Sequence, residues 1–252
     1  MSPYRLDGET ALITGGGTGI GLGIARCFIQ AGARVVLAGR RQEELDAAVR
    51  ELGQKAFRIA MDITNFPETA ALGDQAEALV GGPVSILVNN AGIHLKKTAT
   101  DTTVEDFESV LRTHVLGAHA LTASLLPRMI ARRHGSVLFI ASMASLFGIP
   151  KVIAYSAAKS AYLGMIRTLA TEVSPQGVRV NGIAPGWITS PMTQAALGQD
   201  PARRDRILNR TPMGRLGEAE DVGWAAVYLC SPAAKFLTGA VLPVDGGISI
   251  GF

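Results

Sequence analysis

Short apolar runs alternate with longer amphipathic stretches along the whole chain, and this rhythm admits few folds. The apolar runs at 10–14, 34–38, 57–61, 84–89, 136–141, 178–184 and 240–244 read as strands. Helical patterns begin between them near Gly19, Gln42, Pro67, Val104, Val152 and Glu218. Strands buried on both faces read as continuous Val/Ile/Leu runs, as the LVN-type segments do here. Repeated strand–helix alternation with right-handed crossovers predicts an α/β chain with a single Rossmann-like, doubly wound parallel sheet of about seven strands and helices on both faces. With 252 residues and no linker-like break in composition, one domain over 1–252 is expected.

Composition narrows the function classes. The 24 Lys+Arg against 21 Asp+Glu leave a formal charge of +3, too mild for a nucleic-acid footprint. Nowhere do about eighteen apolar residues run together, so no membrane helix is expected. Cys27 and Cys230 lie far apart in helical patterns and support neither a disulfide framework nor a metal site. Free thiols and an opening segment that leads into a strand predict a cytoplasmic protein. The long patterns at 104–131 and 152–173 are apolar-striped, and Pro127 inside the first predicts a kink or a frayed turn. The segment 187–217 breaks the rhythm after a strand end, where long connections act as lids, and is expected to cover a substrate.

TGGGTGIG, Thr14 to Gly21, joins the first strand to the first helix. Glycines there allow a tight turn and close approach to a pyrophosphate at the helix N-terminus. The spacing departs from G-x-G-x-x-G, since Ile20 stands where the last glycine would fall; Gly15, Gly19 and Gly21 hold the key places, with Thr18 beside them. The second strand ends in Ala38-Gly39-Arg40-Arg41, with no acid before Glu43. An arginine at that place suits the 2′-phosphate of NADP, whereas an acid would suit NAD, so Arg40 favours NADP(H) and leaves NAD(H) open. Asp62 closes the third strand, where its carboxylate either accepts from an adenine amino group or caps the next helix. Asn89-Asn90-Ala91-Gly92 closes the fourth, with amides placed to tie strand ends together.

Tyr155 and Lys159 are one turn apart in a helix and so share a face. An ammonium beside a phenol favours the phenolate, which would make Tyr155 a general acid/base near neutral pH. Ser142 ends the fifth strand, and a strand-end hydroxyl can meet that phenol over the sheet edge. Reduction of a ketone builds negative charge on oxygen, so Ser142 would hold that oxygen and Tyr155 would protonate it. Ser145 is read as a turn residue.

Together TGGGTGIG, NNAG, Ser142 with YSAAK, NGIAPGW and FLTGAVLPVDGG resemble the short-chain dehydrogenase/reductase family over nearly the whole chain. The resemblance implies NAD(P)-dependent alcohol–ketone interconversion on a small molecule, commonly by a homotetramer. It places Gly15, Gly19, Ile20, Arg40, Asp62, Ile63, Asn89, Ala91 and Gly92 at the adenosine and pyrophosphate half of the cofactor. Tyr155, Lys159, Pro185, Gly186, Ile188 and Ser190 fall at the nicotinamide half. One position departs from the family pattern: His114 stands where an asparagine is usual, and either relays protons or replaces it structurally. His94 falls on the substrate side with Lys96 and Lys97, and a helical lid would align Arg203, Arg206 and Arg210. These cations either receive a carboxylate or phosphate or form a solvated face. NNAGIHLKK, NGIAPGWITSPMT and NRTPMGRLGE resemble gluconate 5-dehydrogenase-like members, which implies a ketosugar acid or polyol as substrate. The alternatives are a 3-oxoacyl-carrier-protein reductase and a non-catalytic nucleotide sensor or scaffold.

Overall fold

A computed structural model describes residues 2–190, 193 and 201–251. Seven parallel strands form one sheet in the order β3-β2-β1-β4-β5-β6-β7. These are β1 Thr10–Thr14, β2 Arg34–Gly39, β3 Ala56–Ala60, β4 Ile86–Asn89, β5 Gly135–Ile140, β6 Val178–Pro185 and β7 Val241–Val244. The expected strands are all present, with ends shifted by a residue or two. The fourth starts later than expected because the Val84 amide donates to Glu77 Oε1 at 3.0 Å instead of joining the ladder. Successive side chains point to opposite faces of a strand, so each strand feeds two cores. Ala11 and Ile13 join Val35, Leu37, Val88 and Ile140 on one face. Leu12 joins Val36, Leu87, Val137 and Phe139 on the other.

The first face is covered by α1 Gly19–Gln30, α2 Gln42–Leu52 and, near the carboxyl end of the chain, a helix over Ala219–Cys230. The second face is covered by α3 Phe66–Val80, α5 Gly117–Arg132 and α6 Ile153–Val173, with α4 Val104–Leu111 preceding α5. Along α6 the buried residues Ala154, Ala158, Tyr162, Ile166 and Ala170 recur every fourth position, the stripe a sheet-facing helix requires. Within the expected lid, α7 spans Pro201–Arg210, and the helix over Ala219–Cys230 is α8. Residues 191, 192 and 194–200 of that lid lie outside the described residues.

The pattern at 104–131 is not one helix. A π-helical turn, Arg112–Leu116, separates α4 from α5. No frayed turn forms at Pro127, since α5 continues to Arg132. Contacts on both sides of the proline hold α5 to α3: Ser124 Oγ donates to Ala70 O at 2.6 Å, and Arg128 donates to Glu77 at 2.9 Å. The break falls instead where the backbone is recruited elsewhere, for the His114 carbonyl accepts a hydrogen bond from Tyr162 Oη at 2.8 Å.

β2 and β4 flank β1, and helices leave these strands toward opposite faces, so the strand order reverses at β1–β4 and opens a crevice at the carboxyl ends. The crevice has a clasp at its floor. Thr14 Oγ1 donates to Val88 O (3.2 Å) and accepts from the Asn90 and Ala91 amides (3.0 Å each). Asn90 Nδ2 donates back to Thr14 O (2.9 Å) and Gly15 O (3.2 Å). Thr14→Val would strand two amides in a largely buried place and is expected to cost about 2–3 kcal/mol in equilibrium urea unfolding. Thr14→Ser, which keeps the hydroxyl, should recover most of that loss.

Candidate active site

The glycine turn is built for a ligand without room for side chains. Gly15 has φ +65°, and a Cβ there would come within 2.9 Å of Asn90 Nδ2. A Cβ on Gly21 would meet the Gly15 carbonyl at 2.3 Å. Thr18, the N-cap of α1, is extended and makes no side-chain cap bond, so the first-turn amides remain available to an anion. This bare, uncapped N-terminus fits a dinucleotide pyrophosphate.

From that turn the crevice runs two ways. Toward β2 and β3 it is lined by Gly15, Thr18, Arg40, Asp62, Ile63, Ala91 and Gly92. Thr64 holds the Asp62 carboxyl below its usual range through its amide (2.9 Å) and hydroxyl (2.8 Å), so the carboxylate stays ionised. Toward β5 and β6 a cavity of about 590 Å³ is lined by Gly19, Ile20, Ser142, Tyr155, Lys159, Pro185, Gly186, Ile188 and Ser190. Ser190 Oγ pairs with Thr193 Oγ1 at 2.9 Å. The Asn89 side chain is buried outside this lining, with Nδ2 on Thr122 Oγ1 at 3.0 Å. Strand alternation aims its side chain at α5, and its neighbour Asn90 faces the crevice instead.

Ser142, Tyr155 and Lys159 do converge. Ser142 accepts the Ala144 amide at 3.1 Å, and it lines the same cavity as Tyr155, where its hydroxyl favours the phenolate. Lys159 is buried, with Nζ donating to Ile140 O at 2.6 Å and standing 5.7 Å from the Tyr155 ring centroid. The charges differ from the sequence expectation. Burial pushes the Tyr155 phenol up, against the opposing Ser142 hydrogen bond, and pushes Lys159 down to about 7. The same desolvation that brings the pair together disfavours the charged form of each, so the free protein holds no phenolate–ammonium pair.

His114 is almost fully buried, with Nε2 2.8 Å from Ile93 O and 3.1 Å from Ile93 N. Nε2 thus meets both polar groups of the Ile93 backbone, accepting from the amide in one tautomer and donating to the carbonyl in the other, and the buried Nδ1 has no hydrogen-bond partner among the described residues. Burial, and secondarily Lys159, pushes this imidazole down to about 3, so it is neutral at physiological pH. Relay by a protonated His114 is therefore disfavoured, and its carbonyl is already engaged by Tyr162. The ring packs edge-on to Tyr155, 5.5 Å between centroids. His94 also reaches the cavity, 5.2 Å from the Tyr155 ring.

Some residues escaped sequence reasoning. Arg41 lines both arms of the crevice, pairs with Glu44 at 2.5 Å and donates to Thr18 at 3.3 Å. Its place beside Arg40 was the available signal. Met143, Ile149 and Val152 form an apolar lining that no motif marked, joined by Trp187 from the end of NGIAPGW.

Lys159 gives a pH dependence of defined sign. Between about pH 7 and its ordinary 10.5 the unfolded chain holds a proton that the folded chain does not, so this group makes stability rise with pH there and adds no slope below it. The unfolding free energy of the native chain relative to Lys159→Met is expected to grow from pH 7 to 10 in urea titrations. A constant difference would contradict the burial argument.

A family model described as Enoyl-(Acyl carrier protein) reductase matches residues 15–249. Galactitol 2-dehydrogenase (L-tagatose-forming) of Cereibacter sphaeroides is 40% identical over 98% of this chain and 97% of its own. The 2-dehydro-3-deoxy-D-gluconate 5-dehydrogenase of Bacillus subtilis is 37% identical over 97% of this chain and 96% of its own. A solved gluconate 5-dehydrogenase from Burkholderia cenocepacia J2315, in complex with NADP and tartrate, superposes with TM-score 0.93 at 34% identity, covering 99% of this chain and 98% of that one. Agreement on this scale, along nearly the full length of each relative, means that the chain belongs to the short-chain dehydrogenase/reductase family of oxidoreductases acting on alcohol and ketone groups.

Proposed function

We propose that the protein interconverts a ketone and a secondary alcohol with NADP(H), on a ketosugar acid or polyol. The observation that carries this reading is the meeting of Ser142, Tyr155 and Lys159 in one cavity continuous with the glycine cradle. Similarity to galactitol, gluconate and deoxygluconate dehydrogenases supports the substrate class. NADP(H), when bound, supplies or accepts the hydride.

The chain's own groups supply the remainder. Ser142 donates a hydrogen bond to the substrate oxygen and Tyr155 passes it a proton, a transfer that its neutral, protonated state permits. Lys159, titrating near neutrality, supplies charge behind Tyr155 as negative charge enters the site. Gly15, Thr18, Gly19, Ile20, Asp62, Ile63, Ala91 and Gly92 would hold the adenosine and pyrophosphate half, and Pro185, Gly186, Ile188 and Ser190 the nicotinamide half. His114 serves here as a neutral pin between the Ile93 backbone and Tyr155.

Arg40 lies exposed on the adenosine arm beside Asp62, which supports NADP(H) over NAD(H). Homotetramer assembly is supported by the large apolar side chains left exposed, Trp224, Phe236 and Ile250 among them. A reducing cytoplasm suits the buried free thiols Cys27 and Cys230.

NADPH oxidation against a panel of ketoacids, ketoses and an acetoacetyl thioester tests the assignment. Tyr155→Phe is expected to lose about 10²–10⁴-fold in turnover while still binding NADPH in a fluorescence titration. Retained turnover would refute the assigned proton donor, and thioester reduction without ketoacid or ketose reduction would refute the substrate class. Arg40→Asp should lower the NADPH-to-NADH ratio of kcat/KM by about tenfold or more, since it sets like charge against the 2′-phosphate.

A further inference from the structure

Among the described residues Tyr162 is the largest wholly buried side chain, and it lines neither arm of the crevice. Tyr155, Lys159 and Tyr162 fall at i, i+4 and i+7 of α6 and share one stripe, with the lysine between two phenols. The ammonium nitrogen is 4.9 Å from the Tyr162 ring centroid and 5.7 Å from that of Tyr155. The nearer ring is thus the one outside the cavity. A buried phenol also needs a partner for its hydroxyl, and Tyr162 Oη donates to His114 O at 2.8 Å, in the π-helical turn. Phe139 packs on the same ring at 5.0 Å from β5, next to Ile140, whose carbonyl takes the Lys159 ammonium. Contacts from two other elements therefore fix the Tyr162 ring in place.

Lys159 has little else to hold its charge. An ammonium carries three donors, and among the described residues only the Ile140 carbonyl accepts from it. The titratable groups facing it are Tyr155 and Tyr162 on its own helix and His114 from the π-helical turn, while β5 offers it a carbonyl. None of these is an anion in the free protein, since burial keeps both phenols protonated and His114 neutral. What remains is the negative face of an aromatic ring, which attracts a desolvated cation more strongly than an exposed one. Leucine would fill much of the same space with neither that face nor a donor for the turn. Because its phenol is pushed up, Tyr162 stays a neutral donor and does not compete with Tyr155 for the transferred proton.

Resting on the oxidoreductase reading above, we propose that Tyr162 is a positioning residue for the reaction: its ring face receives the Lys159 ammonium, and its hydroxyl anchors the turn that holds the His114 ring against Tyr155. One side chain outside the cavity thereby fixes both the charge behind the proton donor and the imidazole beside it. The two parts are separable, because Tyr162→Phe removes only the hydroxyl whereas Tyr162→Leu removes the ring face as well.

NMR titration of the lysine Cε groups in the free protein reads this without turnover, Lys159 being the resonance that Lys159→Met removes. Loss of the ring face disfavours the ammonium, so in Tyr162→Leu the Lys159 midpoint, about 7 in the native chain, should fall by roughly one unit. In Tyr162→Phe it should stay at the native value. Ketone reduction needs the charged lysine and so weakens as pH rises past that midpoint. At saturating NADPH this alkaline fall of kcat/KM should move to lower pH in Tyr162→Leu. In Tyr162→Phe only the plateau should drop, by about tenfold and through kcat, as the unanchored turn lets Tyr155 shift. Urea midpoints establish that each variant is folded, and Tyr162→Met serves the same comparison should the leucine variant not fold. A Lys159 midpoint unmoved or raised when the ring is removed would overturn the inference and leave Tyr162 as core packing. So would a Tyr162→Phe variant that shifts the midpoint as far as leucine does, or that keeps full kcat. Absence of turnover with any ketone would overturn the oxidoreductase reading, while the Lys159 titration would still decide this one.

Discussion

The clasp between β1 and β4 is the constraint from which the rest of the molecule follows. Two strands whose crossovers leave toward opposite faces must separate at their ends, and only side-chain hydrogen bonds can bridge the gap without filling it. Thr14 and Asn90 do so with five bonds that satisfy strand-end carbonyls and amides together. With the floor fixed, the glycine turn sits above it with no Cβ in the way, and the α1 N-terminus faces the same space. A ligand site at the reversal of strand order is thus a consequence of satisfying the backbone where helices depart both ways.

Burial sets the chemistry on the other arm. Tyr155, Lys159, Tyr162 and His114 pack against one another between α6, the π-helical turn and the end of β5. In so dry a place each titratable group drifts toward its neutral form: the phenols upward, the lysine and the imidazole downward. The free site therefore holds a protonated phenol beside a lysine that titrates near neutrality.

Local sequence carried a large part of this. The strand runs, the glycine turn, the Tyr155–Lys159 spacing and the strand-end Ser142 are features of a few consecutive residues, and all lie where the pattern placed them. What local pattern missed was decided by neighbours distant in the chain. Asn89 and Asn90 are chemically identical in sequence, and only the strand's alternation, set by its partners, aims one at Thr122 and the other at the crevice. The break at Arg112–Leu116 reflects Tyr162, 48 positions from the carbonyl it engages. Lys96 lines the cavity while its neighbour Lys97 pairs with Asp106, nine positions further on.

The amino-acid order by itself determined the layered α/β architecture, the family and the identity of the polar groups that converge in the cavity, because periodicity and short motifs are local and act through fixed backbone geometry. Tertiary structure alone decided the protonation preferences of Tyr155, Lys159 and His114, since desolvation depends on what the rest of the chain packs around each group. It also decided which amide faces the crevice, because the direction of a side chain is fixed by its packing partners and those come from across the fold.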